Sequence, residues 1–153
     1  MIINSPPATH AETPIVSSTF WPEIDPAVIR DQQRLDTTIP PNRLRAALIE
    51  AIATTNNALR AWRQSHETLG TSALADIAAD EIDGTSILVH RYQRAVGCLA
   101  KALILERTRD FDATGKGERK AEFLTDPIDD CRRDHLAALA DITGRPRSTI
   151  ELI

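Results

Sequence analysis

The stretch best placed to do chemistry is ERTRDFDATGKGERKAE, Glu106 to Glu122. It holds two glycines around a lysine, the kind of pattern a phosphate loop uses to bring backbone amides close to anionic oxygens. Aligning Gly115–Lys116 with the end of such a loop puts Asp110 at the first glycine position and Gly117 where Ser or Thr must stand. Two fixed positions fail, and a carboxylate sits where phosphate must approach. A nucleic-acid track fares little better. Between Glu106 and Lys120, the basic residues Arg107, Arg109, Lys116, Arg119 and Lys120 stand against Glu106, Asp110, Asp112 and Glu118, five against four. Near-balance at this spacing suits salt-bridged helix ends rather than a phosphate grip.

Other chemistries find no set of residues. DIAADEIDG is acid-rich, but a twelve-residue calcium loop with Gly84 at its sixth position would begin at Ala79, which supplies no carboxylate. His10, His66, His90 and His135 are isolated in sequence, and His135 falls on the apolar stripe of its helix. Cys98 and Cys131 have no CxxC spacing. They read as reduced, half-buried thiols, with a disulfide between neighbouring helices as the lesser alternative. Asp129, Asp130 and Asp134 read as a solvated helix face. No catalytic, metal or cofactor site is expected.

Composition points the same way. Aromatics are only 4% of 153 residues, so alanine- and leucine-rich helices are favoured over pleated strands. A net charge of -4 gives no broad basic face for DNA. No apolar run reaches the roughly 18 residues of a membrane span. The start, MIINSPPATHAETP, lacks the charged and apolar regions of a signal peptide, so the expected setting is the cytoplasm, or a larger particle that leaves with the protein.

The elements that position these residues follow from punctuation and periodicity. Pro6, Pro7, Pro14 and Pro22 exclude a helix over residues 1–23, which read as an extended N-terminal arm. Phe20 and Trp21 at its end either tuck onto the core or anchor a neighbouring copy. Asp25 followed by Pro26 starts a short helix running to about Asp36. Leu44, Leu48, Ala51, Ile52, Thr55, Leu59 and Trp62 then stripe one long helix ending before Gly70. Asp83–Gly84 is a turn, and Thr85 or Ser86 caps a central helix that is apolar nearly all round. A last helix follows, kinked or restarted at Pro127 and closed by Gly144. The tail RPRSTIELI reads as extended. The expectation is an all-α protein, a small antiparallel bundle of about four helices over residues 24–143, with extended arms at 1–23 and 144–153. Physical reading alone leaves a small helical adaptor or a DNA-associated regulatory domain open.

In order, FWPEIDP, PNRLRAALIEA, LADIAADEIDG, RAV and above all ERTRDFDATGKG resemble the head completion (head stabilisation) proteins of P2-like contractile-tailed phages, the GpL family. The resemblance runs from Phe20 to Ile153, with departures at Thr108, where the family leads one to expect an aromatic, and at Pro127. It implies a virion protein at the head–tail interface, assembled in the host cytoplasm. Its implied partners are the portal protein, a tail completion protein, neighbouring copies in a ring of about twelve and the packaged DNA, with no membrane.

On that footing residue roles are expected. The corner of Asp112 to Gly117 takes its backbone freedom from Gly115 and Gly117. Arg107, Arg109, Asp110, Asp112, Lys116 and Arg119 pair with a neighbouring subunit or hold the corner within the chain, and Phe20 and Trp21 contact a neighbour. Arg145, Pro146, Arg147, Ile150, Leu152 and Ile153 dock the tail on the portal.

Overall fold

The computed structural model describes residues 10–113 and 118–147. Five α-helices account for most of them: α1 Pro26–Gln32, α2 Pro41–Ala58, α3 Arg60–Thr68, α4 Ile87–Ala113 and α5 Glu118–Thr143. One small antiparallel sheet, β1 Glu81–Ile82 with β2 Thr85–Ser86, precedes α4. The all-α expectation stands in outline, but the architecture is not a plain four-helix bundle.

Its frame is the α4–α5 hairpin. Glu106 bonds Arg132, Ala95 meets His135 and Arg91 reaches Asp141, so residue numbers fall on one helix as they rise on the other. The two helices are therefore antiparallel along their length. α2 also runs against α4, with Asn56 at Tyr92 and Arg43 beside Arg107. Leu44, Leu48, Ala51, Ile52 and Thr55 of α2, and Tyr92, Ala95, Val96, Leu99 and Ala100 of α4, are buried. This is the burial that the three-and-four spacing of both stripes predicts.

Local signals in the sequence are used as chemistry dictates. The Asp25 carboxylate accepts from Ala27 N–H at 2.9 Å and starts α1. Asp83 and Gly84 both take positive φ, 55° and 70°, the two-residue turn whose twist suits a tight hairpin. Ser86 Oγ accepts from Leu88 N–H at 3.2 Å at the head of α4. Gly144, at φ 70°, closes α5, and Arg145 N–H returns to the Ala140 carbonyl at 3.0 Å.

Three expectations are corrected. The single long helix over the α2–α3 region is two helices, turned at Leu59 (φ -95°, ψ 5°). Leu59 itself is buried, and the turn carries Arg63 to a position 5.3 Å over the Phe20 ring. α5 runs through Pro127 without restarting. Pro127 is exposed, so the backbone carbonyl that loses its N–H partner lies where water can replace it.

The third correction concerns the N-terminal arm and its aromatic pair. Residues 10–23 are laid on the body, not held away from it. Ile15 exchanges backbone bonds with Ile24 at 2.7 and 3.0 Å, and Arg45 donates to the Thr13 carbonyl at 2.6 Å. Phe20 and Trp21 are 1% and 3% exposed, so they are core residues of this chain and not anchors for a neighbour. Trp21 stacks on Tyr92 (4.9 Å, 6°) and meets Phe20 edge-on (4.8 Å, 84°). The physical reason is scarcity. A helical core built of alanine and leucine has few large side chains, and these rings fill the space between α2, α3 and α4.

Candidate functional site

The hairpin gives the protein two ends. At 27 residues α4 is about 40 Å long, so its ends can serve different partners. One end carries the charged corner. The other carries the β1–β2 turn and the exit of the C-terminal tail.

At the corner, α4 ends at Ala113 and α5 begins at Glu118. Gly115, Lys116 and Gly117 lie outside the described residues, and so does the expected tight turn they form. Arg119 lies in the first turn of α5. Arg107 and Asp110 are exposed, while Arg109 and Asp112 are partly covered. Arg109 Nε is 3.5 Å from its neighbour Asp110. The strong charge pair of this region involves two residues that sequence reasoning did not select. Arg132 Nε and Nη2 donate to the two Glu106 oxygens at 2.6 and 2.9 Å. This two-point fork clamps α5 to α4 below the corner. The hydrogen bond to Glu106 raises the Arg132 pKa. Glu106 and Arg132 thus hold the two helices together within the chain, while Arg107 is exposed and the exposed Asp110 lies beside Arg109.

Two phenylalanines were also passed over. Phe111, in the last turn of α4, and Phe123, in the second turn of α5, are 81% and 84% exposed. Their signal was present in sequence: neither belongs to its helix's apolar stripe, and both sit among charges.

Below the clamp the seam is apolar and closed. Cys98 and Cys131 are free and buried, and burial pushes both thiols up from their ordinary pKa. His135 is buried too. The Ala95 carbonyl can only accept, so His135 Nδ1 carries the proton and donates across 2.9 Å. Burial lowers the His135 pKa below 6.5; the bond to Ala95 opposes this and the positive charge of Arg132 adds to it. The unfolded chain binds a proton near 6.5 and the folded chain only at a lower pH, so this contribution is whole above 6.5 and declines as pH falls below it. His135→Gln should flatten the fall in urea-unfolding stability between about pH 7 and pH 5. An unchanged slope would assign the pH dependence elsewhere.

At the far end, Arg145, Pro146 and Arg147 are exposed and follow Gly144. Arg147 Nε and Nη2 donate to Asp141 at 3.1 and 2.6 Å, and this pairing holds the Asp141 carboxyl below its ordinary pKa. Arg91 donates to the Asp141 carbonyl at 3.2 Å. Ile150, Leu152 and Ile153 lie outside the described residues. The tail and corner residues are not brought together into one site.

Among the described residues, no group of three or more His, Cys, Asp or Glu is placed to hold a metal, and no helix is long and apolar enough to cross a membrane. An open cleft of about 670 Å³ lies between the 3-10 turn at His10–Glu12, α1 and the start of α2.

Comparison with known proteins identifies what this arrangement belongs to. Residues 15–153 match the family of the phage head completion protein (GPL). The chain is 40% identical over 148 residues to the head completion/stabilization protein of Escherichia phage P2, covering 96% of this chain and 88% of that one. No solved structure gives a significant match. The chain belongs to the phage head completion protein (GPL) family, and its role is a structural one in head assembly.

Proposed function

We propose that this protein is a virion component that binds the portal vertex once the genome is packaged, closes as a ring of about twelve copies that lengthens the DNA channel, and offers the surface to which a tail completion protein joins. The observation that carries this reading is the likeness, over 96% of the chain, to the head completion/stabilization protein of Escherichia phage P2. The two separated ends of the hairpin support it, because a connector must bind a neighbour and a portal at once.

In this reading the tail residues Arg145, Pro146, Arg147, Ile150, Leu152 and Ile153 dock on the portal. Arg147 exchanges its own Asp141 for a portal carboxylate as it does so. At the corner, Arg107, Arg109, Asp110, Asp112, Lys116 and Arg119 set the register of neighbouring copies. The protein works without catalysis or a cofactor. Its net charge of -4 suits a channel, since carboxylates repel phosphates and let DNA pass at injection.

DNA-filled heads made without the protein provide the test. Adding the purified chain should make their DNA resistant to nuclease and let them accept tails. Heads that stay leaky and tailless with folded protein present would reject the proposal.

A further inference from the structure

The chain has two cysteines, Cys98 on α4 and Cys131 on α5, and the register of the hairpin sets them opposite each other. Arg94 Nη2 is 3.5 Å from Asp134 Oδ1, and His135 Nδ1 donates to the Ala95 carbonyl at 2.9 Å. Arg94 and Ala95 precede Cys98 by about one turn, while Asp134 and His135 follow Cys131 by about one turn. In an antiparallel pair, one turn forward on α4 is one turn back on α5. The two thiols therefore share the next layer of the seam. Neighbouring charges agree with this placement. Burial raises the Cys98 pKa, and the negative charges of Asp134 and Cys131 add to it. Burial raises the Cys131 pKa as well, and the Lys101 ammonium, one turn beyond Cys98, opposes it.

This part of the seam is built for close approach. Ala95, Ala102 and Ala138 are wholly buried in it, and a methyl side chain lets two helix backbones come near. The His135 ring of α5 reaches a main-chain carbonyl of α4. Close approach is what a disulfide demands, since its Cα atoms lie only about 4.4–6.8 Å apart. The two thiols are not equally open. Gln33, at the end of α1, covers Cys98, with its Nε2 3.9 Å from the sulfur. Cys131 is 9% exposed against 5% for Cys98 and has the Lys101 charge beside it, so it is the thiol an oxidant meets first.

We propose that Cys98 and Cys131 are an oxidation site, joined by a peroxide into a disulfide that staples α4 to α5. The Cys131 thiolate attacks one peroxide oxygen; the O–O bond breaks, and the leaving hydroxide takes a proton to become water. Cys131 is then a sulfenic acid. The Cys98 thiolate attacks its sulfur, the S–S bond forms, the S–O bond breaks, and a second water leaves. The two sulfurs lose two electrons between them, the peroxide gains two, and both thiol protons end in water. Burial of both thiols keeps the reaction slow, so the chain folds and assembles reduced in a reducing host. A particle that has left the host meets oxidants, and the hairpin is stapled there after assembly. That timing rests on the virion reading above; the chemistry of the pair does not.

The test treats the purified, reduced full chain with hydrogen peroxide and follows it by intact mass, thiol titration and a non-reducing peptide map. The expected product is a monomer lighter by two hydrogens, with no free thiol and a peptide linking position 98 to position 131. Its melting midpoint should rise by about 5–10 °C and return to the starting value with dithiothreitol. Two thiols that stay free in the folded chain, a disulfide-linked dimer, or a sulfinic acid at either position with no linked peptide would each overturn the pair. Cys131→Ala should keep its helical circular dichroism and show no rise in melting midpoint with peroxide; the same rise in that variant would overturn the staple. If the variant does not fold, the peptide map of the natural chain decides alone. Particles collected from the medium with iodoacetamide present test the timing. Their copies of the chain should carry the same linked peptide, and copies alkylated at both cysteines would overturn stapling in the particle. Particles that lack the chain reject the virion reading, and this timing with it, while the result on the purified chain stands by itself.

Discussion

A chain cut after Gly144 should fold and melt almost as the full protein does, yet fail to join DNA-filled heads. The folding half follows from where burial ends. Among the described residues Ile142 is the last that is buried, and α5 is already closed at Gly144. Beyond it the described residues are exposed and contribute one backbone bond, Arg145 to Ala140, and one surface ion pair, Arg147 to Asp141. The backbone bond is worth about 1 kcal/mol, and the solvent-screened pair adds little to it. For a domain of this size that lowers the melting midpoint by a few degrees at most, roughly 2–4 °C per kcal/mol. The binding half follows from multiplicity. Each tail makes a modest contact, but in a ring every copy repeats it, so its removal is felt through effective concentration as well as direct contact. Co-sedimentation with heads measures it: full-length chain pellets with the heads and the cut chain stays in the supernatant. A cut chain that still pellets would place portal binding elsewhere on the molecule.

Trp21→Ala should be the most damaging single change in the body, lowering stability by about 3–5 kcal/mol. Trp21 is 3% exposed, stacked on Tyr92 and met edge-on by Phe20, so its removal opens a cavity bounded by rings that cannot collapse into it. Tyr92 is itself held by its hydroxyl, which donates to Asn56 Oδ1 at 2.6 Å, while Asn56 Nδ2 donates to Ser17 Oγ at 3.3 Å. The stack thus ties the N-terminal segment to α2 and α4, and its loss frees that segment. The melting midpoint should fall by about 10 °C. Trp21→Phe should cost much less, because it keeps a ring and removes only an indole N–H that has no acceptor among the described residues. A Trp21→Ala protein of unchanged stability that no longer assembles would restore an interface role for this residue.

These two results bear on how much could be read before the structure was known. Short-range signals were legible because their physics is local. Asp25–Pro26, Asp83–Gly84 and Gly144 each act within a few residues, and each is used as a cap or turn. The stripes of α2, α4 and α5 were legible because burial imposes a 3.6-residue period. The sequence reading failed where the outcome depends on distant partners. Nothing next to Leu59 says that the helix must turn there; the turn is paired with the packing of Arg63 over Phe20, some 40 residues away in sequence. Proline and small polar residues around Phe20 and Trp21 imply an arm, but the rings are drawn inward by an alanine-rich core that has space to fill. Phe111 and Phe123 show the converse. Their place off the apolar stripes was readable, while their meeting at one projecting end needed the antiparallel register of α4 and α5. At the site, the tail and corner could be marked as separate segments, and it took the hairpin to set them at opposite ends. The Glu106–Arg132 clamp pairs residues 26 apart in the chain, and no spacing rule selects it.

The central claim, that this protein completes heads as a ring on the portal, is tested most directly by electron microscopy of DNA-filled heads mixed with the purified chain. The account predicts added density in a ring on the narrow end of the portal, with copies related by rotation about the channel. Portals that stay bare on filled heads, with the protein shown to be folded, would contradict it.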